Sequence, residues 1–209
     1  MYANIGHEKT GGNPKGLYPP LSSTPGILQM DPDMGMRVVQ AFEGDADLFI
    51  SPGHPRSRAL LRQAKADPAS AVTDESYWYL GYALPDEERG MAFVEWYREQ
   101  AGHGSIPSPS LIERGDVRLR RLRYEIDSRL FRDDIESGKI EQPKGDGTKP
   151  PSTVPVMIER PGLFKGGGHV VYADGHTRFL DYPGEYPMTR EFIEALESLG
   201  GLRPASATR

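Results

Sequence analysis

A chain of 209 residues with 37% hydrophobic residues is long enough to bury a real core, and we expect residues 1–209 to form a single domain. Its net charge of -5 gives no general attraction for nucleic acid or an anionic membrane surface, and no apolar run approaches the ~20 residues of a bilayer span. Zero cysteines remove thiol nucleophiles, zinc–cysteine sites and disulfides together, while 24 glycines and 19 prolines predict many turns and long ordered loops.

The opening MYANIGHEKT has neither a basic n-region nor an apolar stretch, so it is not a signal peptide. Residues 1–4 read as the last turn of a helix remaining from a longer chain, and 5–35 as an extended Gly/Pro-rich loop region. MRVVQAFEG (36–44) predicts a short helix, and DLFISP (47–52) a short strand stopped by proline. In HPRSRALLRQAKADP, Leu60, Leu61 and Ala64 share a helical face that Pro68 ends. SYWYLGYAL (76–84), rich in aromatic β-formers, predicts a strand. DEERGMAFVEWYREQAG (86–102) is the clearest helix, with an acidic start, a closing Gly102, and Met91, Val94 and Tyr97 on one stripe.

GDVRLRRLRYEIDSRLFRDD (115–134) carries six arginines, but Asp and Glu interleave with them. Leu119, Leu122 and Ile126 recur at helical spacing, so it reads as a solvated amphipathic helix and not a nucleic-acid patch. Residues 137–153 predict a flexible loop, 154–159 a strand, and 169–180 a hairpin. A C-terminal helix follows, with Thr189 as N-cap and Phe192, Ile193 and Leu196 as its buried face.

Signatures of chemistry are missing: the chain has no HExxH, P-loop, nucleophile elbow or complete EF-hand loop. DPDMG (31–35) and EGDAD (43–47) offer oxygen ligands of the kind calcium takes but lack the further ligands, so no cofactor is expected and calcium is the alternative. Asp133, Asp134 and Glu159 are the only acid/base candidates, and nothing in sequence pairs them. His7, His54 and His103 stand isolated in loop-like surroundings. Trp78, Tyr79 and Trp96, with Tyr77, Tyr82 and Tyr97, could supply aromatic faces for a ligand, although core packing is the competing use.

The stretch HVVYADGHTRFL (169–180) decides between a constellation and a scaffold. Asp174-Gly175 suits a two-residue type I′ turn, which sets Ala173 opposite His176, Tyr172 opposite Thr177 and Val170 opposite Phe179. Val170, Tyr172 and Phe179 would then line one apolar face. His169 would face Leu180, ~13 Å along the ribbon from His176, too far for one metal ion to bridge.

GGGHVVYADGHTRFLDYPGEYPMTREFIEAL resembles the C-terminal signature of the "H-x9-DG" group of prepilin-like proteins, in which an ADGH hairpin precedes Y-P-G-x-x-P-x-T and a short helix. Asp174, Gly175, His176, Tyr172, Phe179, Pro183 and Gly184 carry that resemblance as structural motif residues. MYAN with YPPLSS, DLFISPGHP with Ser51 where cysteine often sits, RLRYEIDSRLFRDDI and VPVMIERP are similar in the same order, and together cover about half the chain. The family's histidine is replaced by Phe164, so no role for it is carried over to His169.

The resemblance implies an α+β pilin-like headpiece, with an antiparallel sheet ending in the Asp-Gly hairpin, peripheral helices and long loops. It implies a non-enzymatic subunit of a type IV pilin-like or type II secretion pseudopilus assembly, at the periplasm or cell surface. The partners would be other pilin or pseudopilin subunits, and the inner membrane through an N-terminal helix absent here. A surface ligand- or glycan-binding module on the same scaffold is the alternative.

Overall fold

The computed structural model describes residues 18–35, 45–122 and 151–203. The helix expected at 36–44, Ile126 with the rest of the basic segment beyond 122, Asp133, Asp134 and residues 137–150 lie outside the described residues.

Helices and an antiparallel sheet share one cluster of buried side chains. In chain order the elements are α1 (Ser57–Ala66), β1 (Tyr77–Tyr79), α2 (Glu87–Gly102), β2 (Leu111–Arg114), β3 (Val117–Arg120), β4 (Pro155–Glu159), β5 (Gly167–Tyr172), β6 (Thr177–Asp181) and α3 (Arg190–Gly200). Strands β1-β4-β5-β6 make a four-stranded antiparallel sheet in that order, and β2-β3 a separate two-stranded one. Among the described residues no helix is long and apolar enough to cross a membrane.

The helix boundaries follow their caps. Asp67 is extended because Pro68 follows it, which stops α1 after Ala66 with Leu60 and Ala64 buried and Leu61 half-buried. Asp86 caps α2 by accepting the Arg89 N–H at 3.1 Å, and Glu87 and Glu88 complement the helix dipole. At the other end Gly102 is still helical, His103 is the C-cap, and Gly104 is the residue with positive φ (84°). The buried face of α2 is wider than the expected stripe: Phe93, Val94, Trp96 and Tyr97 are buried, while Met91 is only partly so. Gly90 lets α3 approach closely, since a Cβ there would lie 2.8 Å from the Phe192 ring.

Thr189 caps α3, its Oγ1 accepting the Phe192 N–H at 3.3 Å and donating to Glu87 Oε1 at 2.5 Å. Phe192, Ile193, Ala195, Leu196 and Leu199 are buried below it. Thr189→Ala breaks both contacts and is expected to cost about 1–2 kcal/mol, read as a lower urea midpoint at unchanged m-value.

Three expected elements are corrected. DLFISP is not a strand: Asp45 accepts the Asp47 N–H and starts a 3-10 turn over Ala46–Phe49. Ser51 then spends its N–H on the Ser76 hydroxyl instead of a ladder (3.0 Å). The strand expected over 76–84 lasts only through Tyr79, because Gly81 takes φ +72° and turns the chain toward the second sheet. There Tyr82 bridges Arg121, and Ala83 donates to Arg120 O at 2.8 Å.

The described part of the basic segment is not helical. Gly115-Asp116 forms a two-residue turn with Gly115 at φ +56°, pairing Arg114 with Val117 and Ile112 with Leu119. Leu119 and Leu122 are fully buried, and the arginines are paired: Arg118 with Glu113 at 3.2 Å, and Arg121 with Tyr18 O at 2.6 Å.

Both faces of the main sheet are used. Trp78, Ile158 and Val170 align across β1, β4 and β5, and Met188 approaches the same face over Gly168. Met30, Phe49 and Val72 close over Tyr77, Tyr79 and Met157 on the other. Asp74, buried, ties distant parts of the chain: its carboxylate accepts the Leu28 N–H at 3.1 Å and pairs with the Arg203 guanidinium, which also donates to Gly26 O at 2.9 Å.

Candidate functional site: the hairpin and its outer face

The Asp174-Gly175 hairpin forms, but with a three-residue loop. Gly175 N–H donates to Tyr172 O and Tyr172 N–H to His176 O, both at 2.9 Å, with Gly175 at φ +89°. That is a type I turn closed by a left-handed glycine, not the expected type I′ turn. Asp174 accounts for the choice, because its Oδ1 accepts the His176 N–H at 3.1 Å and sits 2.5 Å from His176 Nδ1. Burial pushes the Asp174 carboxyl up, but the hydrogen bonds from the His176 ring and N–H outweigh it and leave it below its ordinary value. The His176 ring stacks flat on Tyr172, centroids 4.5 Å apart.

The extra loop residue slips the register by one and reassigns the faces. His169 pairs with Phe179 and Val170 with Arg178. Phe179 therefore does not join Val170 and Tyr172 in the core; it lies on the opposite face, 46% exposed. His169 shares that face with Phe179 and His176 lies on the other, so the two imidazoles do not converge. Among the described residues no group of three His, Asp or Glu side chains is placed to hold a metal ion.

The slip adds Phe179 to a cross-strand row the sequence did not announce: Tyr77 on β1 pairs with Glu159 on β4, and His169 on β5 with Phe179 on β6. Glu159 and His169 join the two halves. Glu159, fully buried, accepts the His169 N–H (2.8 Å) and Nδ1–H (2.6 Å) on Oε2. A carboxylate oxygen that close to Nδ1 needs a proton between them, so Nδ1 is the donor. The ring stands edge-on to Phe164 (5.3 Å) and Phe179 (5.2 Å). Glu159 is thus an orienting partner, and among the described residues no hydroxyl or amine side chain hydrogen-bonds to the His169 ring.

Ser51 completes the row's inner end. Fully buried, it accepts the Gly53 N–H on Oγ at 3.2 Å and hydrogen-bonds Tyr77. Burial first, then the Glu159 charge, push the Tyr77 phenol up to about 12. Burial does the same to Tyr97, also to about 12. An unfolded phenol ionises near 10, so above that pH the unfolded chain releases protons the fold retains. Stability present below pH 10 is therefore lost as the pH rises toward 12. A phenolate absorbance titration is expected to show these two groups ionising together with loss of near-UV circular dichroism.

Past β6, the Tyr182–Pro183 and Tyr186–Pro187 peptides are cis. Gly184 N–H donates to Met188 O at 2.9 Å, and a Cβ on Gly184 would meet Asp181 O at 2.3 Å, so only glycine fits. The signature residues Pro183 and Gly184 thereby fold the chain back toward α3.

The aromatic ligand candidates are elsewhere and enclosed. Trp78, Tyr79 and Trp96 are 2%, 1% and 7% exposed. Tyr79 hydrogen-bonds Pro19 O at 2.6 Å, and Trp96 packs on Tyr82 and Phe93. None offers a ring face to a ligand. His54 accepts the Arg56 N–H, and His103 caps α2. Asp31 caps the helical residues 32–35 through the Met34 N–H (3.3 Å).

No protein-family model, no curated protein and no solved structure matches this chain.

Proposed function

We infer that this chain is a non-enzymatic structural subunit of a type IV pilin-like or type II secretion pseudopilus assembly, displayed outside the inner membrane beside other pilin or pseudopilin subunits. The observation that supports the reading is how the signature residues are employed. Asp174, Gly175, His176 and Tyr172 build the hairpin loop, while Gly184 builds the reversal after β6. These are construction roles at the end of an antiparallel sheet, which is what a headpiece signature would specify. The reading of a surface binding module drew on Trp78, Tyr79 and Trp96, which are occupied in the core.

The test is fractionation of the source organism carrying an epitope-tagged chromosomal copy. The tagged protein is expected in the inner-membrane and sheared-fibre fractions, and to leave the latter when the assembly ATPase is deleted. Recovery entirely in the cytosol would overturn the assignment.

A further inference from the structure

β6 is the outermost strand of the four-stranded sheet. Its register against β5 decides which of its backbone groups are already used. Tyr172 donates to His176 O and Tyr182 to Gly166 O. Bonded pairs alternate in an antiparallel ladder, so Arg178 and Leu180 face β5 while Thr177, Phe179 and Asp181 turn their N–H and C=O outward. Among the described residues nothing hydrogen-bonds to that outer edge. No lysine, proline or bulge guards it, and Phe179, 46% exposed, stands at its centre.

We propose that this edge pairs antiparallel with the same edge of a second copy of the chain, about a two-fold axis at Phe179, joining two four-stranded sheets into one. The strand's own residues select both the partner and the register. Centred on Phe179, the pairing overlaps all of Thr177–Asp181, uses the outward groups, and sets each Thr177 hydroxyl against the other copy's Asp181 carboxylate. Centring on Arg178 opposes two guanidinium groups, and centring on Asp181 opposes two carboxylates. Centring on Thr177 or Leu180 shortens the overlap. A five-residue strand falls well short of the ~800 Å² per partner of a stable complex. The contact is therefore weak between free chains, and as a two-fold contact it closes on a pair of copies.

The proposal goes beyond the assembly reading, and the contact is measured on the isolated chain. The chain has no cysteine, so F179C introduces a single thiol. Paired copies hold it at a Cα separation of ~5.5 Å, within disulfide range. Oxidation of concentrated F179C is expected to give covalent dimer at least ~10-fold faster than L48C, whose side chain is exposed elsewhere. In the F179C background, T177D sets carboxylates against each other and T177P removes an outward N–H without touching the β5 ladder. Both are expected to return the rate to that of L48C while the far-UV spectrum is unchanged. Equal rates for F179C and L48C, or dimerisation undiminished by T177D, would overturn the strand contact and leave the assembly reading standing. Fast F179C dimerisation by a protein absent from sheared fibres would do the reverse.

Discussion

Trp78→Ala is expected to destabilise the fold by about 3–5 kcal/mol, the cost of emptying a large aromatic site in a core. Trp78 is 2% exposed, pairs with Ile158 across β1 and β4, and shares its face with Val170, which is fully buried. The Arg160 guanidinium covers the ring at 5.1 Å from its centroid, and Arg160 also donates to Asp74 O (3.4 Å). Losing the indole therefore removes the packing of β1 against β4 and leaves the Arg160 guanidinium without the ring it covers. Urea denaturation followed by far-UV circular dichroism should show a sharply lower midpoint, with Trp78→Phe recovering most of the loss. A loss below about 1 kcal/mol would place the side chain outside the core and reopen it as a ligand surface.

What the sequence disclosed, and what it hid, divides along local and non-local physics. Asp86, Pro68 and Thr189 act within one turn of their own position, so the end of α1 and the starts of α2 and α3 were legible from single residues. The Asp-Gly hairpin was legible for the same reason, whereas the antiparallel sheet around it was only what the resemblance implied. In the described part of the basic segment a strand stands where a helix was expected, because Leu119 and Leu122 fit a helical spacing as well as a strand leading into a bridge. The Gly115-Asp116 turn beside them was the signal that should have decided it.

The hairpin slip was subtler, since Asp-Gly serves a two-residue or a three-residue loop. The choice rested on the Asp174 carboxylate binding the His176 N–H and ring, and that single residue moved Phe179 from core to surface. The Glu159–His169 contact could not be read at all. It depends on β4–β5 register, and the ladder shifts between Pro155 and Met157.

That contact carries the second large effect. Glu159→Ala is expected to cost about 2–4 kcal/mol, because it strands two donors, the His169 N–H and Nδ1–H, and leaves a void at a fully buried site. Glu159→Gln should cost less. One amide oxygen still accepts from His169, and the buried charge is gone, along with an Oε1 that has no hydrogen-bond partner among the described residues. The same substitution should move Tyr77. Its phenol is held up by burial first and by the Glu159 charge second, so removing the charge brings it down from about 12 without returning it to 10. Stability would then fall off over a narrower alkaline window than in the parent, because the folded and unfolded phenols titrate closer together. Chemical denaturation at neutral pH, paired with a phenolate titration of both variants, reads the two effects separately. A Tyr77 titration unchanged in Glu159→Gln would mean that burial alone holds the phenol up.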